Sequence, residues 1–199
     1  MRFKKFVIFL LSLILLANVN INASARNYMY DYNKNEVTIT YSQFTVPQTA
    51  YITGGVLGIA FSLGHFAFDN TVMTGALGVE YYRTLNHVVK VGGIFCGEYM
   101  TSDTYQTIDG EKQYNGTYDF GYCSLMAAVK LTWFDYYHFR MYSKLAVGPA
   151  AGIGDTVGIS IGAQVSPICL EFGSTNLRGF AEFGIGMQGV ASIGIKHMF

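Results

Sequence analysis

The residues with the types and spacing closest to a catalytic group lie between Ser62 and Asp69. Ser62 stands three positions before His65, and Asp69 follows four positions later. Serine, histidine and a carboxylate are the nucleophile, base and orienting group of many acyl-transfer enzymes. No nucleophile-elbow motif surrounds Ser62, however, so the spacing gives this chemistry little support. We therefore expect no catalytic residues, and keep an acyl hydrolase or transferase as an alternative.

Cysteine and histidine do not form a metal-binding or redox pattern. The three cysteines fall within apolar runs: Cys96, Cys123 and Cys169. The four histidines are isolated from one another in the sequence: His65, His87, His138 and His197. There is no CxxC motif and no zinc-ligand spacing, and an odd number of cysteines cannot be fully paired within the chain. We expect the cysteines to behave as small apolar residues, and we expect no metal and no cofactor.

Charged residues embedded in apolar segments form a second set of candidates. Its eight members are Glu80, Lys90, Glu98, Lys130, Arg140, Lys144, Glu182 and Lys196. Charges in apolar surroundings are costly unless they are paired. The set therefore favours an ion-pair network over a catalytic or conducting site, provided that the fold brings its members together.

The composition indicates which kind of fold could do so. Hydrophobic residues make up 51% of the 199 residues and charged residues only 13%, while mean hydropathy is just +0.27. A helical membrane protein would be more apolar, and a soluble domain would carry nearly twice the charge. An aromatic-rich, glycine-rich and charge-poor chain is typical of a β-barrel with one face in lipid.

The first 25 residues have the pattern of a signal peptide. Arg2, Lys4 and Lys5 precede the apolar stretch Phe6–Ala17, and Ala23-Ser24-Ala25 is a small-x-small cleavage site. The apolar stretch of 12 residues is too short for a membrane-spanning helix. We expect cleavage after Ala25, a polar lead-in over residues 26–35 and a barrel domain over residues 36–199. Loss of three cations leaves 10 Lys and Arg against 13 Asp and Glu, which argues against a nucleic-acid partner.

Eight segments alternate with the period of two that is typical of strands. They are Glu36–Gln43, Thr74–Arg83, Val88–Tyr99, Phe120–Trp133, Arg140–Gly152, Ile159–Phe172, Arg178–Gly186 and Val190–Phe199. Their lengths suit tilted transmembrane strands. The sequence therefore predicts an all-β fold, an antiparallel up-and-down transmembrane β-barrel of about eight strands. Apolar faces would contact lipid, and the eight charges would point into the lumen and fill it.

The connections alternate between short and long. Short turns are expected at Leu85–His87, Phe134–His138 and Ser174–Asn176, and long external loops at Pro47–Asn70 and Thr101–Asp119. Asp109-Gly110 and Asn115-Gly116 are turn signals within the second long loop. Pro167 interrupts the alternation and predicts a bulge. An even strand number places both ends of the barrel domain on the side of the short turns.

The segment Pro47–Asn70 allows more than one interpretation. Tyr51–Phe68 is an uncharged apolar run of 18 residues, which is long enough for a transmembrane helix. Its glycines and β-branched residues lower its helix propensity. A partly helical insertion and an extra hairpin of the barrel are equally favoured, ahead of a spanning helix.

The last strand carries a family resemblance. Ala191, Ile193 and Ile195 alternate toward the final Phe199, although His197 replaces a tyrosine that is usual two places before the end. This stretch resembles the closing strand of bacterial outer-membrane barrels. Residues 36–199 are similar to the small outer-membrane β-barrel proteins of the OmpA/OmpX-like group. The resemblance implies location in outer-membrane lipid and insertion by the barrel assembly machinery, with Phe199 as the terminal assembly signal.

The resemblance does not imply a single activity. We expect a non-enzymatic integral outer-membrane protein whose loops serve structural or interaction roles and whose lumen is filled by side chains. Lys130 is expected to pair with Glu80 or Glu182. A lipid-modifying enzyme and a narrow porin-like channel for small or hydrophobic ligands are the alternatives. The surface ligand and the oligomeric state stay open.

Overall fold

The fold consists almost entirely of antiparallel strands. The computed structural model describes residues 35–61, 66–108, 111–136, 138–154 and 157–199. The expected signal peptide and most of the lead-in lie outside these residues. The described elements are β1 (Asn35–Gln43), α1 (Val46–Phe61), β2 (Phe66–Met73), β3 (Ala76–Thr84), β4 (Val89–Ile108), β5 (Glu111–Tyr136), β6 (Phe139–Ile153), β7 (Val157–Gly173), β8 (Leu177–Gly186) and β9 (Ala191–Met198).

Eight strands close a ring. β1 pairs with β3, each of β3 to β8 pairs with the next strand, and β9 pairs back with β1, always antiparallel. At the closing seam, Asn35 and Phe199 exchange two backbone hydrogen bonds of 2.7 and 2.9 Å. β2 stands apart from this ring, because it pairs only with the end of β4, over Met100–Gln106. The prediction of an all-β, up-and-down antiparallel barrel of about eight strands is confirmed.

The two faces of the wall differ sharply in polarity. Along β5, the inward positions from Tyr122 to Thr132 are buried at every second residue, in the phase that the sequence alternation predicts. Outward positions carry large apolar side chains, and Ile159 and Ile161 are 83% and 80% exposed. Among the described residues, buried positions carry most of the charged side chains. The barrel is therefore apolar on its outer face and holds its buried charges inside.

The short turns and the bulge agree with the sequence. β3 and β4 are separated by four residues, β5 and β6 by two, and β7 and β8 by three. The predicted turn Phe134–His138 is shorter than expected, since β5 continues to Tyr136. The pairing of β7 with β8 shifts register between Val165 and Ile168, which confirms the bulge at Pro167.

The expected loop Thr101–Asp119 is a β-hairpin, and the prediction of a loop was wrong. β4 and β5 stay paired through Ile108 and Glu111. Residues with high strand propensity, threonine and tyrosine, recur in this polar segment and favour strands even without an apolar face. The Asn115-Gly116 signal marks a bulge instead of a turn, since Thr104 faces Gly116 and the next residue faces Tyr114. Gly116 has φ of 126°, a conformation that favours glycine. Asp109-Gly110 lies outside the described residues.

The segment after β1 is a helix followed by a strand. α1 covers 16 residues, Val46–Phe61, and β2 begins at Phe66. Of the interpretations left open, the partly helical insertion matches this arrangement. Within the described residues, no helix has both the length and the apolar character needed to cross a membrane. Gly75, with φ of 75°, lies between β2 and β3, so that β2 continues the line of β3 along β4.

Candidate functional site

A network of buried charges fills the lumen toward the short turns. All eight charged residues singled out in the sequence are at most 7% exposed, and seven of them have ion-pair partners. The described ion pairs join five carboxylates (Glu36, Glu80, Asp135, Glu171 and Glu182) to six cations (Lys90, Lys130, Arg140, Lys144, Arg178 and Lys196). We call these eleven residues the ion-pair network.

Lys130 occupies the middle of the network. Its Nζ lies 3.0 Å from Glu36 and 3.1 Å from Glu80, and 3.8 Å from the centre of the Tyr82 ring. Glu80 also accepts a hydrogen bond of 2.9 Å from Lys144. Of the two partners expected for Lys130, Glu80 is therefore in contact. Glu182 contacts Lys144 instead.

Two further carboxylates link the network to the closing seam. Glu36 contacts Lys90 at 2.6 Å and Lys196 at 3.4 Å, in addition to Lys130. Glu171 accepts a hydrogen bond from Lys196 and lies 3.5 Å from Arg140. Each of these carboxylates is shared by several cations. Sharing of this kind compensates the desolvation of charges that have left water.

Every strand of the ring contributes to the network. In chain order, the contributors are Glu36 on β1, Glu80 on β3, Lys90 on β4, Lys130 and Asp135 on β5, Arg140 and Lys144 on β6, Glu171 on β7, Arg178 and Glu182 on β8, and Lys196 on β9. The side chains converge because each lies on the inward face of its strand. An eight-stranded barrel is narrow enough for them to meet across its axis. The network can therefore cross-link the wall and obstruct the lumen.

Sequence reasoning missed four members: Glu36, Asp135, Glu171 and Arg178. Glu36 had a usable signal, because it stands two positions before Thr38 on the polar face of the first strand. Glu171 was harder to place. The bulge at Pro167 changes the inward positions from Ser166 to Cys169 and Glu171, so the phase read from the first half of β7 fails in the second.

Glu98 lies apart from the network. It is eight residues along β4 from Lys90, which is about 26 Å of extended strand, and none of the described cations lies within 4.0 Å of it. Its two carboxylate oxygens share the single hydrogen of the Thr45 hydroxyl, whose oxygen lies 2.7 and 2.9 Å from them. Glu98 therefore anchors the start of α1 to the inner wall.

Thr45 and Gln48 form a capping box that sequence reasoning overlooked. The backbone N–H of Gln48 donates a hydrogen bond of 3.1 Å to Thr45 Oγ1, and the backbone N–H of Thr45 donates one of 3.2 Å to Gln48 Oε1. The signal was present as the pattern Thr-x-x-Gln, which marks helix starts. Pro47 is tolerated because the backbone N–H groups of the first turn make no hydrogen bond within the helix, so the N–H that proline lacks is not needed there. This cap fixes where the apolar helix begins.

The remaining candidates do not form a described site. Ser62 and His65 lie outside the described residues, and Asp69 is exposed and accepts a hydrogen bond of 2.9 Å from the Asn70 amide. The three cysteines are unpaired; Cys96 and Cys169 are buried and Cys123 is half-buried. Among the described residues, no His, Cys, Asp and Glu side chains are grouped to hold a metal.

A cavity of about 610 Å³ lies beyond Glu98, between the first turns of α1 and strands β4 to β7. Its lining is uncharged and largely apolar: Val46, Pro47, Ala50, Tyr51, Met100, Tyr118, Phe120, Tyr122, Gly152, Gly154, Gly158, Ile159, Ser160 and Met187. The interior thus has two parts, a charged lower lumen and an apolar upper cavity.

Comparisons with known proteins do not assign a family. No family model matches the chain, and no curated protein matches it. The OmpA/OmpX-like grouping stays a prediction from the terminal strand and the strand alternation. Function has to be inferred from the polarity and the geometry of the barrel.

Proposed function

We propose that the chain is an integral outer-membrane β-barrel protein, non-enzymatic, whose lower lumen is closed by the ion-pair network. Its loops, and the end of the barrel opposite the short turns, would serve structural or interaction roles. The observation that carries the proposal is the reversed polarity of the wall. Water-soluble proteins place charges outside and large apolar side chains inside.

The outer surface supports contact with lipid. Large apolar side chains stand exposed on every strand of the ring, among them Ile39, Leu77, Phe95, Leu125, Val147, Ile161, Ile185 and Ile195. A continuous apolar surface of this kind is not stable in water unless a partner or a membrane covers it. A closed ring suits a bilayer because each of its eight described strands is hydrogen-bonded to a neighbour on both sides, although residues 157–162 at the upper end of β7 pair with β6 alone among the described strands.

Aromatic side chains support the same orientation. Exposed aromatics collect at the short-turn end: Tyr81, Phe134, Tyr136, Phe172 and Phe199. Others surround the opposite end of the short strands: Tyr41, Phe44, Tyr99 and Phe183. Transmembrane barrels carry such aromatic girdles at both interfaces. The export signal expected over residues 1–25 is consistent with this location.

The ion-pair network supports a barrel that does not conduct. Its members interlock from all eight ring strands and have little exposed surface. Opposite charges at contact distance leave few sites for a passing ion, in contrast to the open lumen of porins. The expected structural role is to fix the strands around a filled interior.

Fractionation and conductance test the proposal together. The full chain, expressed in a bacterium with an outer membrane, should be recovered in that membrane and should change electrophoretic mobility on heating. Purified protein in planar bilayers should give no steady ion current. Recovery as a soluble periplasmic protein would refute the membrane location, and a stable current would refute the closed lumen.

A further inference from the structure

The rim of the barrel is uneven, and this unevenness creates a sheltered space. β8 pairs with β7 only from Gln164 onward, so residues 157–162 of β7 pair with β6 alone among the described strands. β8 ends at Gly186 and β1 ends at Gln43, while β4 to β7 continue further. We call residues 98–122 and 150–163 of these four strands the upper wall. It is a curved sheet that is open on the side of β8, β9 and β1.

The first turns of α1 face the concave side of the upper wall. Thr45 holds its start against Glu98, and the Tyr51 ring stacks on Tyr118 with the centroids 5.9 Å apart. Tyr118 stacks in turn on Phe120 at 6.5 Å. The cavity of about 610 Å³ lies within this enclosure, inside the range of roughly 300–1,000 Å³ that is typical of small-molecule sites.

Missing side chains keep the cavity open. Gly158 lies on an inward but exposed position of β7, at the open side of the cavity, and a Cβ placed on it would meet no atom within 4 Å. A Cβ on Gly162 would lie 3.0 Å from Met187 Cγ and 3.4 Å from Tyr122 Oη, so this glycine lets both side chains pack closely beside the cavity. Short residues on one strand thus face large aromatic residues on another. This arrangement leaves room for a molecule that is not part of the chain.

Tyr122 supplies a polar contact at the inner end of the cavity. The side chain is only 7% exposed, and although Ser124 lies nearby, its hydroxyl makes no hydrogen bond of full geometry with any described residue. A buried hydroxyl without a partner is unfavourable. The lining is therefore complementary to an apolar molecule with one group that can hydrogen-bond to Tyr122 Oη. The uncharged surroundings disfavour binding of an ion.

We propose that this cavity binds one uncharged, mainly apolar small molecule that carries a single hydrogen-bonding group. The molecule enters along the unpaired edge of β7 and packs between α1 and the upper wall. Its polar group contacts Tyr122. This binding site goes beyond a barrel with a closed lower lumen, because neither the membrane location nor the ion-pair network requires a ligand.

A fluorescent probe tests the site directly. N-phenylnaphthylamine is uncharged, has two aromatic systems and carries one N–H group. With the full chain folded and held in amphipol, we expect a saturable rise in probe fluorescence that corresponds to one molecule per chain, above the signal of amphipol alone. A rise that never saturates would indicate non-specific partitioning of the probe into the apolar surface, and would overturn the proposal.

Two glycine variants separate the cavity from the rest of the surface. Gly158→Phe places a ring in the empty space and should raise the Kd more than about tenfold. Gly179→Phe is the matched control, since Gly179 is exposed on the outer face and a Cβ there has no neighbour nearer than 4.0 Å. Ser160→Phe is a second filling variant, and heat-modifiable mobility shows which variants are folded. Unchanged binding by a folded filling variant would overturn the proposal.

Tyr122→Phe tests the polar contact. It should raise the Kd for N-phenylnaphthylamine about fivefold, the size expected for one neutral hydrogen bond. Binding of phenylnaphthalene, which has the same rings without the N–H group, should not change. Equal effects on the two probes would overturn the assignment of Tyr122 as the hydrogen-bonding residue.

Discussion

Lys130 illustrates how a lysine is accommodated at the centre of the barrel. The side chain is 2% exposed, and two carboxylates and the face of Tyr82 surround its ammonium group. An ammonium buried in this way is tolerable only because its charge is compensated on several sides. Glu36 and Glu80 are buried as well, so the compensation of their negative charges depends equally on Lys130.

Replacing Lys130 should therefore be costly. Lys130→Met keeps most of the volume, removes the charge and leaves Glu36 and Glu80 undercompensated, and we expect a loss of about 3–5 kcal/mol in the free energy of unfolding. The measurement is urea unfolding of the barrel in lipid vesicles. Lys112→Met is the control, because Lys112 is exposed on the same strand and should change stability by less than about 0.5 kcal/mol.

A double-mutant cycle identifies the partner. The cycle of Lys130→Met with Glu80→Gln should give a coupling of about 0.5–3 kcal/mol, and the cycle with Glu182→Gln a smaller one, because Glu182 contacts Lys144. Strict additivity of Lys130→Met with both Glu80→Gln and Glu36→Gln would contradict the geometry of the network.

Phe199 allows a test of the terminal assembly signal, which stays a prediction. Phe199 and Phe172 are 57% and 56% exposed at the same end of the barrel. If the assembly machinery reads the terminal aromatic residue, Phe199→Ala should lower the amount of heat-modifiable barrel in the outer membrane, and Phe172→Ala should lower it much less. Equal losses in the two variants would point to a general role of girdle aromatics instead.

The alternation of residues correctly predicted which side chains point into the lumen where the strands are regular. The phase of β5 follows directly from alternation, and it places Lys130 inside without reference to any other strand. Exact partners could not be predicted, since they depend on the stagger of strands that are far apart in sequence. Glu36 and Lys130, for example, are 94 residues apart and meet across the lumen.

At the scale of elements, α1 depends on a small polar anchor. The helix is apolar on all sides, and Ile52 and Leu57 are about half exposed, so burial of one face does not explain its position. The capping box and the contact with Glu98 define its first turn. Thr45 takes part in both, as acceptor from Gln48 and as donor to Glu98.

Thr45→Val should loosen the helix without unfolding the barrel. Losing an N-cap costs about 0.5–2 kcal/mol, and the change also strips the buried Glu98 of its hydrogen bond. We expect faster hydrogen–deuterium exchange over residues 46–61 and unchanged exchange in β5 to β8. Thr49→Val is the control, because within the described part of the chain the Thr49 hydroxyl bonds only to the Thr45 carbonyl, at 2.9 Å. Similar exchange of α1 in both variants would rule out Thr45 as the anchor.

The β4–β5 hairpin and α1 were the two elements that the sequence pattern placed poorly. The hairpin Thr101–Asp119 looked like a loop because neither face is apolar, yet paired backbones and β-prone side chains are enough to extend a sheet that already exists. The helix was ambiguous because glycine and β-branched residues lowered its propensity. Its capping box, a local signal, would have favoured the helical interpretation.

At the scale of the whole molecule, the two ends of the barrel are different. One end has three short turns and the closing seam of Asn35 and Phe199. The other carries α1, the extended β4–β5 hairpin and the mouth of the cavity. Transmembrane barrels of the outer membrane keep short turns on the periplasmic side and long connections outside. In the proposed location, the end that carries α1 and the β4–β5 hairpin therefore faces the external medium, and the end with the short turns faces the periplasm.

Cysteine labelling in intact cells tests this orientation. Lys112 is exposed in the β4–β5 hairpin and Thr175 is exposed in the turn between β7 and β8. A membrane-impermeant maleimide should label Lys112→Cys in whole cells, and should label Thr175→Cys only after the outer membrane has been permeabilised. The native chain is the control, because Cys96 and Cys169 are buried and Cys123 is half-buried on the apolar face. Labelling of Thr175→Cys in intact cells, with Lys112→Cys protected, would mean that the barrel is inserted the other way, with the cavity opening toward the periplasm.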